Sequence, residues 1–177
     1  MRIAFSGSHR VGKTTLVARV AEALPGYTTV DEPYELLEAD GYEFADPPSL
    51  DDFEAQLQRS LAALDAGERD ALFDRCPVDV LGYLLAHDDA ARFDPDDWVE
   101  RIRGAMQTLD LVVFVPIEDT DRIALPAHED AEHRRAVHDR LRDLLVDDAL
   151  GLDAEVLTVT GDLRARVDQV LARVRRR

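Results

Sequence analysis

The chain has 177 residues, 46% hydrophobic and 33% charged, with 37 acids against 21 bases and a formal net charge of −16. The apolar share is enough for one compact domain with a single core, which excludes a disordered tail. A polyanion of this kind is repelled by nucleic acid and by anionic membrane, so neither is expected as a partner.

The N-terminal "RIAF" reads as a buried strand that runs into a glycine turn, not as a signal peptide. Leu16, Val17, Val20, Ala21 and Leu24 then follow helical spacing, and Pro25-Gly26 ends that helix. "YTTVD" is a second strand. "LDDFEAQLQRSLAAL" is a helix with Phe53, Leu57, Leu61 and Leu64 on one face. "ALFD" is a short third strand, and "PVDVLGYLLAH" a helix with Pro77 in its first turn. "DPDDWVERIRGAM" reads as a helix capped by Asp94, with Pro95 at its first position and two acids behind it. "LDLVVFVP" is the clearest buried strand. A long polar-faced helix follows in "EDAEHRRAVHDRLRDLLVDDAL", then a last strand and turn in "AEVLTVTGD". Leu163, Val167, Val170, Leu171 and Val174 form the stripe of the final helix. Strands alternating with helices predict an α/β fold: a three-layer αβα sandwich around a five-stranded parallel sheet, in a single domain over residues 1–177.

Cys76 is the only cysteine, so no intramolecular disulfide forms. No apolar run is long enough to span a bilayer, and a cytoplasmic protein is expected.

Gly7-Ser8-His9-Arg10-Val11-Gly12-Lys13-Thr14 satisfies G-x-x-x-x-G-K-[ST], with a strand before it and a helix, opening through Thr15, after it. The glycines let the backbone wrap a phosphate, and the helix N-terminus adds positive potential. Lys13 is the only lysine in the chain; the other 20 bases are arginine. Its compact ammonium suits the β/γ-phosphates of a nucleotide in a loop too tight for a planar guanidinium. The Thr14 hydroxyl suits Mg²⁺. His9 and Arg10 read as solvent-facing filler. GTP specificity usually needs an N/T-K-x-D signature, which a chain with one lysine at position 13 lacks, so ATP is expected.

Two further stretches narrow the chemistry. "VDEPYELL" puts Asp31 and Glu32 at the end of the second strand, and "LFDRCPVD" puts Asp74 and Arg75 at the end of the third. Ligands of open parallel sheets bind at the carboxyl ends of strands, so these residues face the phosphates held by Lys13.

This combination resembles the P-loop nucleoside and nucleotide kinases, which carry a P-loop, an acidic-Pro motif, an Asp-Arg motif and a mobile lid with arginines. "DEPYELL…DRCPVD" is most similar to a group of AAA-type ATPases related to the ribosylnicotinamide kinase domain. The resemblance covers nearly the whole chain. It implies that Glu32 accepts the proton of the attacking hydroxyl, that Asp74 holds Mg²⁺ through water, and that Arg75 fixes the acceptor beside the γ-phosphate. It also implies a lid at about 117–135, from which Arg122 closes on the transferring group; Arg134 and Arg135 are further lid candidates. Gln56 sits where some relatives bond the acceptor base, and "LTVTGD" where adenine rests.

Each role has a plainer rival. Glu32 suits a helix N-terminus before Pro33. Arg75 can pair with Asp79 four residues on. Arg122 can be a solvated loop charge. Gln56 reads rather as a surface helix residue, and Cys76 as a small buried apolar one. Tyr34, Tyr42 and Phe44 suit core packing better than stacking on an acceptor base. His128, His133 and His138, spaced by five, do not share one helix face and are not read as a metal site.

The fourth strand ends without the Walker-B aspartate of motor ATPases. The expected activity is therefore Mg²⁺-dependent transfer of the ATP γ-phosphoryl group to a nucleoside, nucleotide or similar hydroxyl, by a monomer or homodimer. An ATP-binding switch and a slow NTPase are the alternatives. Finally, aspartate outnumbers glutamate about two to one. With lysine almost absent, the composition resembles proteins of salt-in haloarchaea, where molar salt shortens the Debye length to about 3 Å and screens self-repulsion. The rival source is an acidic protein from a GC-rich genome.

Overall fold

The computed structural model describes residues 1–66, 69–118 and 130–176. Its elements run β1 (Arg2–Ser6), α1 (Lys13–Ala23), β2 (Thr28–Val30), α2 (Pro33–Ala39), α3 (Leu50–Asp65), β3 (Ala71–Asp74), α4 (Pro77–Ala86), α5 (Asp96–Met106), β4 (Leu111–Phe114), α6 (Ala131–Leu145), β5 (Val156–Thr158) and α7 (Leu163–Val174), with a short 3₁₀ turn at Ala90–Arg92. The strands pair in the order β2-β3-β1-β4-β5, all parallel.

Successive side chains on each strand take opposite faces of the sheet. Ala4, Phe73, Val112 and Phe114 pack on one side with α3, α4, α5 and α6. Ile3, Phe5, Leu72, Leu111 and Val113 pack on the other with α1 and α7. Both faces are covered, so the central strands read as unbroken apolar runs. In register, Phe5 lies opposite Asp74 on one side and Val113 on the other. The carboxyl ends of β1 and β3 therefore finish side by side, which sets the P-loop against the Asp74-Arg75 pair.

The segment after Glu32 is a seven-residue helix, α2, started by Pro33, as a helix N-terminus at Glu32 implies; it is too short to show a period of its own. Two local readings need correction. The helix expected from Asp94 starts at Asp96, and the Asp94 carboxylate accepts the Asp96 amide at 3.1 Å, placing Pro95 just ahead of the first turn. Gln56, read as a surface residue, is buried at 8% exposure. It lies on α3, which packs against α2, α4 and α5, so the buried arc, with Asp52, Gln56 and Ser60 on it, is wider than the apolar stripe.

The start of α3 is tied to the preceding loop. Ser49 and Asp52 form a capping box, the Ser49 amide donating to Asp52 Oδ2 at 2.7 Å. The Tyr42 hydroxyl donates to Asp52 Oδ1 at 3.0 Å. The Phe44 ring stacks on Tyr34 at 4.2 Å and meets Tyr42 edge-on at 4.8 Å. The three half-buried rings thus pack on one another.

Candidate active site

The loop between β1 and α1 is held from several sides. Gly7 has φ 149, and a Cβ there would sit 2.5 Å from the Val115 carbonyl oxygen, so no other residue fits where the loop leaves β1 beside β4. Gly12 caps α1 in the left-handed region, φ 87. Behind it, the amides of the first turn of α1 precede the first i→i−4 bond and are available to an anion. Thr14 and Thr15 stand exposed at that helix end, and Val11 is buried.

Lys13 is 5% exposed, and its ammonium donates to the Ser8 carbonyl at 3.2 Å. Burial, and then the Arg75 charge beside it, lower its pKa to about 8. The Ser8 hydroxyl is buried and has no hydrogen-bond partner among the described residues. A loop with a buried ammonium and an unmatched hydroxyl is short of an anion. A nucleotide's phosphates would supply it.

Thr14 Oγ1 donates to Asp74 Oδ2 at 2.6 Å. The second oxygen, Asp74 Oδ1, is buried and unpartnered among the described residues. Burial raises the Asp74 pKa, against the pull of Lys13, the Thr14 hydrogen bond and Arg75. A buried carboxylate with one bare oxygen next to a hydroxyl is a hard oxygen donor set, and it fits Mg²⁺.

Arg75 is the hub of the site. It adopts φ 81, a left-handed conformation unusual for a side-chain-bearing residue, so the guanidinium turns back toward the P-loop. Nε donates to Glu32 Oε2 at 2.6 Å, and Nη1 donates to the Gly7 carbonyl at 3.2 Å and lies 3.5 Å from Asp79 Oδ1. The guanidinium carbon sits 5.1 Å from the centre of the Tyr83 ring. One side chain thus pairs with Glu32, with the Gly7 carbonyl and with Asp79, so the pairing four residues on does not exclude the contact with Glu32. Burial pushes the Glu32 pKa up, but the charge and hydrogen bond of Arg75, with Lys13 behind, outweigh it and hold the carboxyl below its ordinary value. Glu32 is also the residue at the N-terminus of α2, so that reading coexists with its facing the P-loop.

Asp79 is fully buried and distributes its oxygens. Oδ1 accepts the Gly7 amide at 3.0 Å; Oδ2 accepts the Cys76 amide at 3.0 Å and its thiol at 3.3 Å. Burial, then the Asp79 charge, push the Cys76 thiol well up, so it stays protonated and unreactive.

Two arginines carry the outer side of the loop. Arg134, on α6, donates to the carbonyls of His9 at 3.1 Å and Arg10 at 3.3 Å. Arg166, on α7, donates to the Val11 carbonyl at 2.7 Å and to Glu118 Oε1 at 3.0 Å. The same Glu118 oxygen accepts the Gly161 amide at 2.7 Å. Three consecutive carbonyls of the loop are therefore drawn outward by guanidinium groups. His9 is half-buried, its Nδ1 3.3 Å from the Tyr83 hydroxyl, whereas Arg10 is exposed. His9 is thus not the filler its position suggested.

Among the proposed site residues, Lys13, Thr14, Glu32, Asp74 and Arg75 come together. Arg122 and His128 lie outside the described residues. Arg135 is exposed on α6. Asp79, Tyr83, Glu118 and Arg166 join the site without having been singled out for it. Asp79 and Tyr83 had a signal, since they follow Arg75 at four-residue steps on one helix. Glu118 and Arg166 had none.

No curated protein matches the chain in sequence. Among solved structures, a deoxyadenosine kinase from M. mycoides with bound dATP is similar at TM-score 0.68 and 16% identity, over 99% of each chain. NadR protein in complex with NAD and AMP-PNP is similar at TM-score 0.66 and 20% identity, over 96% of this chain and 48% of that one. Thymidylate kinase from Candida albicans is similar at TM-score 0.63 and 14% identity, over 98% and 90%. These likenesses establish the P-loop kinase fold. The model of the AAA domain family matches residues 2–166, nearly the full length, and the chain belongs to that family.

Proposed function

We propose that the protein is an ATP-dependent small-molecule kinase that transfers a γ-phosphoryl group to a hydroxyl of a nucleoside, nucleotide or similar acceptor. The observation that carries this reading is the Arg75–Glu32 pair at 2.6 Å, with the same guanidinium on the Gly7 carbonyl of the loop. That places a carboxylate and a fixed cation together at the mouth of a phosphate cradle. A water nucleophile needs no such clamp.

In the proposed reaction, Lys13 neutralises charge on the β/γ-phosphates, and the first-turn amides of α1 hold their oxygens. Thr14 and Asp74 are the residues that would hold Mg²⁺, which supplies charge neutralisation between the phosphates when bound. Arg75 orients the acceptor hydroxyl and stabilises charge on the moving group. The acceptor oxygen bonds to the γ-phosphorus as the bond from that phosphorus to the bridging oxygen of ADP breaks. The hydroxyl proton passes to a carboxylate oxygen of Glu32. A carboxyl of lowered pKa suits a loose transition state, in which the hydroxyl loses its proton late. The similarity in fold to nucleoside and nucleotide kinases supports the reading.

The test is ADP release in molar KCl with Mg·ATP, with and without a panel of nucleosides, nucleotides and vitamin-like alcohols. Acceptor-dependent release is expected. Release of the same size without any acceptor would favour the NTPase reading instead.

A further inference from the structure

Arg75 sits in a conformation that its backbone does not favour, φ 81, so its partners must hold it there. A guanidinium carries five N–H bonds in one plane. Nε donates to Glu32 Oε2, and Nη1 faces the Gly7 carbonyl at 3.2 Å and Asp79 Oδ1 at 3.5 Å. Nη2 donates to the Tyr83 hydroxyl at 3.4 Å. Of the two N–H bonds on Nη2, one is therefore uncommitted among the described residues. It can reach a substrate oxygen without breaking a contact already made.

Tyr83 meets the guanidinium in two ways. Its hydroxyl takes the Nη2 bond, and its ring centre lies 5.1 Å from the guanidinium carbon. Asp79 and Tyr83 are four residues apart on α4 and so share one face of that helix. The Tyr83 ring is itself held. Phe53 of α3 stacks on it with ring centres 5.6 Å apart and planes 11° from parallel, and His133 of α6 lies 6.2 Å away. The hydroxyl is oriented from the phosphate loop, where His9 Nδ1 is 3.3 Å distant. With Nδ1 as acceptor, the Tyr83 O–H donates to His9 and its oxygen accepts from Nη2, so each group has one role. That network assigns the His9 ring proton to Nε2. Burial raises the Tyr83 pKa against the pull of Arg75, so the hydroxyl keeps its proton. One hydroxyl thus joins the loop to the Arg75–Glu32 pair.

We propose that Tyr83, backed by His9, is a positioning residue for phosphoryl transfer: it fixes the plane of the Arg75 guanidinium, keeping Nε on Glu32 and one N–H of Nη2 available to the acceptor. The effect on rate rests on the kinase reading. The effect on Arg75 rests on the geometry alone.

The experiment has two arms. The first follows the Arg75 Nε–H by NMR, its signal identified by its absence from Arg75→Lys. Tyr83→Phe keeps the ring and its stacking and removes only the hydroxyl; Tyr83→Leu removes both. Exchange of that proton with water is expected to quicken by about threefold or more in Tyr83→Phe, as one hydrogen bond is lost, and further in Tyr83→Leu. The second arm measures kcat and both KM values in molar KCl with Mg·ATP and the panel acceptor that turns over fastest. Tyr83→Phe is expected to lower kcat by about three- to tenfold, with the KM for ATP within about twofold of the parent's. His9→Ala should reproduce that loss of kcat and add less than about twofold to Tyr83→Phe, since both act through one hydroxyl. Parent exchange or parent kcat in folded Tyr83→Phe overturns the proposal. So does a loss shared equally with ATP affinity, or full additivity with His9→Ala, since either marks a packing residue. If Tyr83→Leu does not fold, Tyr83→Phe still decides. Acceptor-independent ADP release removes the kinase reading and the transfer role with it, whereas an unmoved Arg75 signal overturns this proposal and leaves that reading standing.

Discussion

Arg166 on the last helix donates to the Val11 carbonyl in the first loop at 2.7 Å, across 155 residues of sequence. With Glu118 joining Arg166 to the Gly161 amide, the β5–α7 turn, the exit of β4 and the phosphate cradle become one hydrogen-bonded unit. A carbonyl drawn outward by a guanidinium keeps the neighbouring amides turned inward. Arg166→Ala is expected to raise the KM for ATP by about tenfold, the loss of one charge-assisted hydrogen bond. The acceptor KM should stay within about twofold, and Arg166→Lys should recover only part of the loss, since one ammonium cannot serve Val11 and Glu118 in the same fork. Steady-state kinetics with both substrates varied checks this. Equal changes in both KM values, or a lower melting temperature alone, would show a structural role only.

Lys13 is expected to make ATP binding pH-dependent, with a definite sign. Its pKa is about 8 in the free protein because burial and Arg75 disfavour the charge. Phosphates would restore the charged form, so the complex holds more protons than the free protein, and affinity should fall as pH rises above about 8. At pH 8, binding should take up about half a proton, measurable by calorimetry in two buffers of different ionisation enthalpy. Affinity that is flat from neutral pH to well above 9, with no uptake, would remove the predicted contact.

The same shift bears on the fold. The unfolded chain binds this proton more tightly, so the buried ammonium costs stability below about pH 8, and the cost is relieved as pH rises toward the ordinary lysine value of 10.5. Lys13→Ala should therefore remain folded, with a melting temperature at or above the parent at neutral pH, while losing phosphoryl transfer. Lys13→Arg should be nearly as inactive. Normal turnover in a folded Lys13→Ala protein would end the nucleotide-binding reading.

The sequence made some parts of this site legible and hid others for physical reasons. The central strands are apolar on both faces, so their runs stand out. The P-loop is legible because glycine is required at fixed places, as the 2.5 Å approach to the Val115 oxygen shows. Glu32, Asp74 and Arg75 follow from parallel strands, whose ends share one edge. Gln56 was misread because the apolar stripe marks only part of the buried arc of α3, which also takes in the polar Asp52, Gln56 and Ser60. Arg166 was hidden more deeply: nothing local separates it from the other arginines, and its target is a backbone carbonyl 155 positions away. Arg134 was named only as a lid candidate, and its bonds to the His9 and Arg10 carbonyls, more than 120 positions away, have no local signal either.

The charge of −16 predicts a response to salt. Many acids lie in adjacent exposed groups, such as Asp88 with Asp89, Asp96 with Asp97, and Asp147 with Asp148. Few of the described ion pairs are sheltered enough to offset this; Arg19–Glu22, for example, is more than half exposed at both ends. Raising KCl from 0.1 M to 1 M shortens the Debye length from about 10 Å to about 3 Å. The melting temperature should rise by about 5 °C or more, equivalent to roughly 2 kcal/mol for a chain of this size. Thermal melts that do not move over that range would remove the case for a halophilic protein.

The remaining prediction separates the proposed base from the clamp that holds it. Glu32 and Arg75 form one ion pair, yet their losses should differ. Glu32→Gln keeps the size and one hydrogen-bond acceptor for Arg75, so the loop and the ATP affinity should change little. Only the proton acceptor is lost, and kcat should fall by about 10² to 10⁴. Arg75→Ala removes partners from Glu32, from the Gly7 carbonyl and from the fully buried Asp79 together. That variant should lose about 1–3 kcal/mol of stability, as expected when buried acceptors are stranded. It should also show a raised acceptor KM and a lowered kcat, because the hydroxyl is no longer held in line. Arg75→Lys, which keeps the charge but not the fork, should recover stability more than rate. Melting curves, ATP titrations and acceptor-dependent ADP release on all three proteins decide the matter. If Glu32→Gln turns over at the parent rate, the carboxylate is a helix-start residue and a partner for Arg75, and the proton leaves by another route. If it loses ATP binding as well, its role lies in building the cradle rather than in the transfer.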